Sequence, residues 1–113
     1  MTISISLANL GVSISLLLGL LAVFRADLTQ SLVSIRAVGR EGLSEIKATY
    51  GGFFIGISLY ALTAQSSTVF TVIGIGWLSA ALVRFLSILS QGYSLKNLGG
   101  VIFEAVVGLL CLS

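Results

Sequence analysis

The 113-residue chain contains no histidine and no proline, one cysteine, and few charged residues. The missing histidines exclude a His-ligated haem and the usual zinc sites, and a single cysteine excludes a disulfide within the chain, so we expect no metal and no cofactor. Charged residues make up 9% of the chain, whereas soluble domains carry roughly 25%. With 57% hydrophobic residues and a mean hydropathy of +1.12, the chain could not cover a water-facing surface. The composition therefore predicts an integral membrane protein.

Four apolar stretches predict four membrane-spanning helices in one domain, residues 1–113. The first stretch, residues 3–24, carries no charge, and a helix of that length crosses the ~30 Å hydrocarbon layer. It lacks a basic start and a small-x-small cleavage site, so we interpret it as a retained span rather than a signal peptide. The other spans are predicted at about 48–64, 68–89 and 98–112. Because lipid admits no open sheet edge, the sequence predicts an all-α, up-down-up-down four-helix bundle.

The basic residues fall on one predicted side of the membrane. Four spans place both termini and the Gln65 turn on the same side, and that side has neither lysine nor arginine. The opposite side holds Arg25, Arg36, Arg40, Lys47 and Lys96, with Arg84 near it. The positive-inside rule therefore predicts a cytoplasmic long loop and both termini on the non-cytoplasmic side. We interpret the net charge of +2 as a topology signal and expect no nucleic-acid partner.

The long first loop shows helical periodicity of its own. Apolar residues recur at helical spacing at Leu28, Leu32, Ile35 and Val38. This pattern predicts a short helix in the membrane interface. Such a helix could dock lipid or a partner, but a connector covering the cytoplasmic end of the bundle is the favoured interpretation.

Two ionisable residues lie inside predicted spans. Arg84 precedes Gly92 by eight residues and Glu104 follows it by twelve. In a helical hairpin both reach roughly 10–15 Å from the turn, so we expect them to face inward and interact. Glu45 lies on the same side and could join them, as could the Tyr50 hydroxyl, although anchoring at the interface is favoured for Tyr50. The cluster is either a polar site for an ion, a proton or a small ligand or, as we favour, a buried pair that fixes helix register.

Small residues mark the faces that are expected to pack. Gly100, Glu104 and Gly108 share one face of the last span at four-residue spacing. Gly52 and Gly56 form a GxxxG pattern in the second span. Glycine lets helix backbones approach closely in lipid, so we predict packing at these positions and at Gly51. For Gly52, packing inside the bundle is favoured over an oligomer interface.

One run of residues resembles a known family. The run Glu45–Gly52, EIKATYGG, resembles the pattern E-[LI]-R-A-x-Y-G-G of the small bacterial membrane family catalogued as domain of unknown function 4345. Arg84, Ser87 and Gln91-Gly92 resemble its R-x-x-S-x-x-x-D-G pattern, with departures at Lys47 and Gln91. The resemblance implies a four-helix protein of this length in a bacterial inner or internal membrane, and it supplies no activity. It further implies one shared feature, in which Gly51 joins the residues already named: Glu45, Tyr50, Gly51, Gly52, Arg84 and Glu104.

The sequence is most consistent with an accessory or structural subunit of a larger membrane protein complex. It contains no catalytic constellation, so we expect no enzyme, and its partners are predicted to be the lipid bilayer and other membrane subunits or further copies. The alternative is an oligomeric carrier or channel for a proton or small solute that uses Glu45, Arg84 and Glu104. An enzyme acting on lipid or quinone has only this polar cluster in its favour.

Overall fold

The computed structural model describes residues 2–33, 36–92 and 94–113, and these ranges contain helices and no strand. The all-α prediction is confirmed. Ile35 of the predicted interfacial helix lies outside the described residues. The elements are α1 (Thr2–Phe24), α2 (Ala26–Val33), α3 (Gly39–Glu45), a π-helical segment (Ile46–Phe53), α4 (Phe54–Ala64), α5 (Ser67–Gln91) and α6 (Leu95–Leu112).

Three of these helices are long and apolar enough to cross a membrane. They comprise Ser6–Phe24, Ser67–Gln91 and Leu95–Leu112, which correspond to the first, third and fourth predicted spans. The predicted second span, residues 48–64, is divided between the π-helical segment and α4, which have 8 and 11 residues. The backbone keeps right-handed helical angles at both ends of the π-helical segment, at Glu45, Ile46 and Phe54. Residues 39–64 therefore form an uninterrupted helical course whose hydrogen bonding changes along its length.

The chain divides into two compact units. One comprises Met1–Val12 together with Ala64–Ser113, and the other comprises Ser13–Thr63. Helix α1 contributes its first half to the former and its second half to the latter.

The first unit is built around the hairpin of α5 and α6. Ser66 caps the start of α5 by accepting a hydrogen bond from the Val69 N–H, and Ser94 caps α6 in the same way through the Asn97 N–H. Between the helices, Gly92 adopts a φ of +108°, a left-handed conformation that favours glycine, and ends α5 with a bond to the Ile88 carbonyl. The two caps and this turn return the chain so that α6 packs along α5.

A reciprocal pair of amides joins the start of α1 to the turn before α5. Asn9 Nδ2 donates to Gln65 Oε1 at 3.0 Å, and Gln65 Nε2 donates to Asn9 Oδ1 at 2.7 Å. Gln65 has a φ of +50°, which is uncommon for a residue with a side chain. The two hydrogen bonds help to offset the strain of that conformation.

Replacing Asn9 with alanine is expected to lower the free energy of unfolding by about 1 kcal/mol, because both amide bonds are lost at a partly exposed site. Reversible unfolding in mixed micelles, followed by circular dichroism, measures this change. Gln65→Ala removes the same two bonds, so the double variant N9A/Q65A should lose less stability than the two single losses added together. A fully additive double variant would show that the two amides do not act as a pair.

The second unit packs the later half of α1 against the π-helical segment and the start of α4. A Cβ placed on Gly19 would lie 3.0 Å from the Gly51 carbonyl oxygen and 2.8 Å from Ile55 Cγ1. A Cβ placed on Gly51 would lie 2.5 Å from Val23 Cγ2. The helix backbones therefore approach closely at Gly19 and Gly51, where the absence of side chains permits it.

The predicted packing at Gly52 and Gly56 is not met within this unit. Both residues are exposed, and no described atom of the unit lies within 4 Å of a Cβ placed on either one. The stripe that contacts α1 is instead formed by Gly51 and Ile55, one residue earlier in the chain. Of the three glycines predicted to pack in this span, Gly51 approaches α1 closely, and packing at Gly52 and Gly56 stays a prediction.

Helix α2 occupies part of the region predicted to form an interfacial helix. Its Leu28 and Leu32 are 41% and 60% exposed, and Val38 lies beyond its end in an extended conformation. Gln30 Oε1 accepts a hydrogen bond from the Ala37 N–H at 2.8 Å and so closes the connection between α2 and α3.

An exposed ion pair marks the junction of α1 and α2. Arg25 Nη2 and Asp27 Oδ2 are 3.2 Å apart. The hydrogen bond from Arg25 lowers the pKa of the Asp27 carboxyl below its ordinary value of 3.8. Because the folded pKa is the lower one, the contribution of the pair to stability is present above pH 3.8 and is lost as the pH falls through the lowered pKa.

The variant Arg25→Gln should return the pKa of Asp27 to its ordinary range, because the guanidinium that favours the carboxylate is gone. Carbon NMR of labelled aspartate, of which the chain has one, follows this titration without assignment. The same midpoint in both proteins would show that the ion pair does not form in the micelle.

Candidate functional site: a buried ion pair between α5 and α6

An arginine of α5 and a glutamate of α6 form a two-pronged ion pair. Arg84 Nε donates to Glu104 Oε1 at 2.9 Å, and Arg84 Nη2 donates to Glu104 Oε2 at 3.1 Å. Both carboxylate oxygens are thus engaged by one planar guanidinium, the geometry in which this pairing is strongest. The structure brings together the two residues that hairpin spacing predicts to meet.

Two further residues of α6 shape the site around the guanidinium. A Cβ placed on Gly100 would lie 3.0 Å from both Cδ and Nε of Arg84. Glycine at this position therefore leaves the space that the arginine occupies. Asn97 Oδ1 lies 3.5 Å from Arg84 Nη1 and accepts a long hydrogen bond from it. Residues Asn97, Gly100 and Glu104 thus form one face of α6 that holds a single side chain of α5.

The pair is largely removed from solvent. The side chain of Glu104 is 12% exposed and that of Arg84 is 32% exposed. Arg84 lies eight residues before Gly92, which corresponds to about 12 Å along the axis of α5. A charge at such a depth in a membrane-spanning helix requires a partner, and each of these residues provides one for the other.

The same face of α6 continues into direct packing of backbones. A Cβ on Gly74 would lie 2.9 Å from the Gly108 carbonyl oxygen, and a Cβ on Gly108 would lie 3.0 Å from the Gly74 carbonyl oxygen. Between this crossing and the ion pair, the rings of Trp77 and Phe103 meet edge to face, with centroids 6.1 Å apart. Gly100, Glu104 and Gly108 therefore all lie against α5.

The remaining members of the predicted polar cluster lie elsewhere in the chain. Glu45 ends α3 and is exposed, and Tyr50 lies on the π-helical segment with its ring edge to face against Phe54, at 6.0 Å. Both belong to the second unit, whereas Arg84 and Glu104 belong to the first. One feature shared by all four residues stays a prediction.

Sequence reasoning missed two features of this site. It assigned Gly100 to helix packing in general, whereas the structure shows that this glycine accommodates a guanidinium. It also did not include Asn97 in the polar cluster, whereas the structure shows that Asn97 Oδ1 accepts a hydrogen bond from Arg84. The signal that was present is the spacing of Asn97, Gly100 and Glu104 along one face of a helix.

The arrangement is suited to holding two helices in register. Both oxygens of the Glu104 carboxylate accept hydrogen bonds from the Arg84 guanidinium, so each helix contributes one charged group to a single contact between α5 and α6. Within the described part of the chain, no group of three or more carboxylate or thiol side chains is placed to hold a metal ion.

Comparison of the chain with protein-family models, with curated proteins and with solved structures gives no match. The resemblance to the bacterial membrane family therefore rests on the residues named for it above.

Proposed function

We propose that this chain is an accessory or structural subunit of a larger membrane protein complex. The observation that carries the proposal is the exposure of α5, an apolar helix of 25 residues. Within its most apolar stretch, 17% is buried. Most of this helix is therefore left for surroundings other than its own chain. Lipid and a neighbouring subunit are the two surroundings that such a helix can have.

The exposed surface of α5 includes an apolar face that is interrupted by one small polar residue, Ser79. Its side chains recur at helical spacing and are each more than half exposed: Val72, Ile75, Leu82, Leu86 and Leu89. No charged residue interrupts this face. Because lipid is as apolar as these side chains, association would depend on close fit and on polar contacts at the ends of the helix.

The ion pair supports a structural role. Arg84 and Glu104 satisfy each other, and Gly100 fits the guanidinium closely. A pair of this kind fixes the register and rotation of α6 against α5 and thereby presents one defined outer surface to a partner.

Extraction of the protein from its native membrane in a mild detergent, followed by mass measurement of the intact particle, tests the proposal. We expect a stoichiometric set of other membrane proteins to accompany the chain. A chain that runs alone, as a monomer, would overturn the proposal.

The topology proposed with this function is a four-helix, up-down-up-down arrangement with both termini on the non-cytoplasmic side. It requires the predicted second span, residues 48–64, to cross the membrane in addition to the three long helices, and the uninterrupted helical backbone of this segment supports that requirement. In a Cys111→Ser background, Ser44→Cys should resist an impermeant maleimide applied to the non-cytoplasmic face, whereas Ser113→Cys should react. The opposite labelling would overturn the proposed orientation.

A second candidate is an oligomeric carrier or channel for a proton or a small solute. The buried carboxylate of Glu104 favours it, because ionisable groups inside membrane spans often mark such pathways. Four helices are too few to enclose a wide pathway, so this function requires several copies of the chain. Unchanged flux into liposomes with Glu104→Gln would exclude it.

A further inference from the structure

A groove in the second unit lies beside the π-helical segment. Four of its lining residues have apolar side chains or none, Ala37, Val38, Gly42 and Ile46, and four have polar or charged side chains, Arg36, Glu45, Thr49 and Tyr50. A lining that combines apolar and polar side chains fits an amphiphile better than a free inorganic ion.

The groove adjoins the end of α1. Gly51 contacts Val23, in the last apolar turn of α1 before Arg25. Tyr50, next to Gly51, is therefore level with the end of a helix that is long and apolar enough to span the bilayer. Lipid headgroups and the first carbons of their chains are found at this depth.

The charges around the groove favour an anion with hydroxyl groups. Arg36, Arg40 and Lys47 have no hydrogen-bond or ion-pair partner among the described residues of their unit, and Arg36 lines the groove. Two carboxylates, those of Glu41 and Glu45, accompany these three cations. The arginine guanidinium matches the geometry of a phosphate. The carboxylate of Glu45, which also lines the groove, can accept a hydrogen bond from a hydroxyl of the same headgroup.

The wall of the groove has an unusual backbone. Ile46, Thr49 and Tyr50 all belong to the π-helical segment, which extends over eight residues. π-Helical turns are rare and are concentrated at functional sites. The groove is therefore built in part from this backbone.

We propose that the groove binds one anionic phospholipid with a hydroxyl-bearing headgroup. The phosphate lies on the Arg36 guanidinium with the hydroxyls of Thr49 and Tyr50 as further donors, a headgroup hydroxyl donates to Glu45, and the start of the acyl chains lies along Val38 and Ile46. The lipid then fixes α2 and α3 to the end of α1 at the membrane surface.

Native mass spectrometry of the full chain in detergent, titrated with phosphatidylglycerol or phosphatidylcholine, tests this site. Arg36→Gln should weaken phosphatidylglycerol binding by about tenfold, because a charge-assisted bond is lost. Arg40→Gln is the matched control: it removes the same charge from a neighbouring residue outside the groove and should weaken binding several times less. Val38→Glu places a negative charge in the lining of the groove and should also weaken phosphatidylglycerol binding. The Val38 side chain is 85% exposed, so the substitution should be tolerated by the fold.

Three results would overturn the proposal. Equal losses in Arg36→Gln and Arg40→Gln would mean general attraction of a basic surface for anionic lipid. Equal binding of phosphatidylcholine and phosphatidylglycerol would show that the negative charge of the lipid does not contribute to binding. Displacement of the lipid by millimolar inorganic phosphate would indicate an anion site that does not recognise lipid.

Discussion

Glu104→Gln is expected to lower the free energy of unfolding by about 2–3 kcal/mol, because it breaks the ion pair between α5 and α6. The substitution keeps the size of the side chain but leaves the Arg84 guanidinium without its anion in an apolar setting. The expected value lies below that for a fully buried pair because the Arg84 side chain is 32% exposed and retains some solvation. Unfolding of the purified protein in mixed micelles, followed by circular dichroism, gives the measurement.

A double variant tests whether the stability depends on the pairing of Arg84 with Glu104 or only on having polar groups at these positions. Arg84→Met together with Glu104→Leu removes both charges and keeps similar volumes, so it should recover most of the stability that Glu104→Gln loses. Arg84→Met alone leaves the carboxylate unpaired and should be as damaging as Glu104→Gln. If the double variant were as unstable as the two single losses added together, the two residues would not be acting as a pair.

Gly74→Ala is expected to lower the free energy of unfolding by about 1–3 kcal/mol, because its Cβ would overlap the opposing helix. The new atom would lie 2.9 Å from the Gly108 carbonyl oxygen, a backbone atom that cannot move without shifting α6. The displacement would extend along the hairpin to Trp77, whose ring packs against Phe103.

Gly76→Ala is the matched control on the same helix. No described atom of its unit lies within 4 Å of a Cβ placed on Gly76. Alanine has the higher helix propensity, so this variant should be neutral or more stable by up to about 1 kcal/mol. The same unfolding experiment compares the two, and equal effects of G74A and G76A would contradict the close approach of α5 and α6 at Gly74.

The ion pair could be predicted from the sequence because hairpin geometry is simple. Arg84 and Glu104 lie on either side of one turn, at similar distances along two helices, and each requires a partner in lipid. The face of α6 was predictable for the same reason, since Gly100, Glu104 and Gly108 follow a regular period. Rotation of α5 toward that face follows from the burial of Arg84 itself.

The packing of the second unit could not be predicted in the same way. Sequence periods assume a regular α-helix, whereas residues 46–53 adopt π-helical hydrogen bonding, with more residues in each turn. The direction in which each residue of this segment faces around the helix axis therefore differs from that in a regular α-helix. Gly51 faces α1, whereas Gly52 does not. A change of hydrogen bonding of this kind has no periodic signature in the amino-acid sequence.

The groove beside the π-helical segment was also beyond sequence reasoning. It depends on the connection between α2 and α3, which brings Arg36 and Val38 beside Ile46 and Tyr50. That connection is closed by the hydrogen bond from the Ala37 N–H to Gln30 Oε1. The two residues are seven positions apart, and no sequence pattern indicates that they pair. The basic character of the loop was evident from the sequence, but the apolar lining next to it, which includes Val38 and Ile46, was not.

The claim that this chain is a subunit of a larger complex is tested most directly in its native membrane by photocrosslinking from α5. A photoreactive amino acid is placed at Leu82 or Leu86, which are 58% and 52% exposed, and at Ile73, which is 6% exposed, as the buried control. The account predicts adducts of defined mass between the chain and another membrane protein from Leu82 or Leu86, and none to another protein from Ile73. Adducts to lipid alone from both exposed positions would contradict it, and adducts to a second copy of the chain would favour the oligomeric carrier or channel instead.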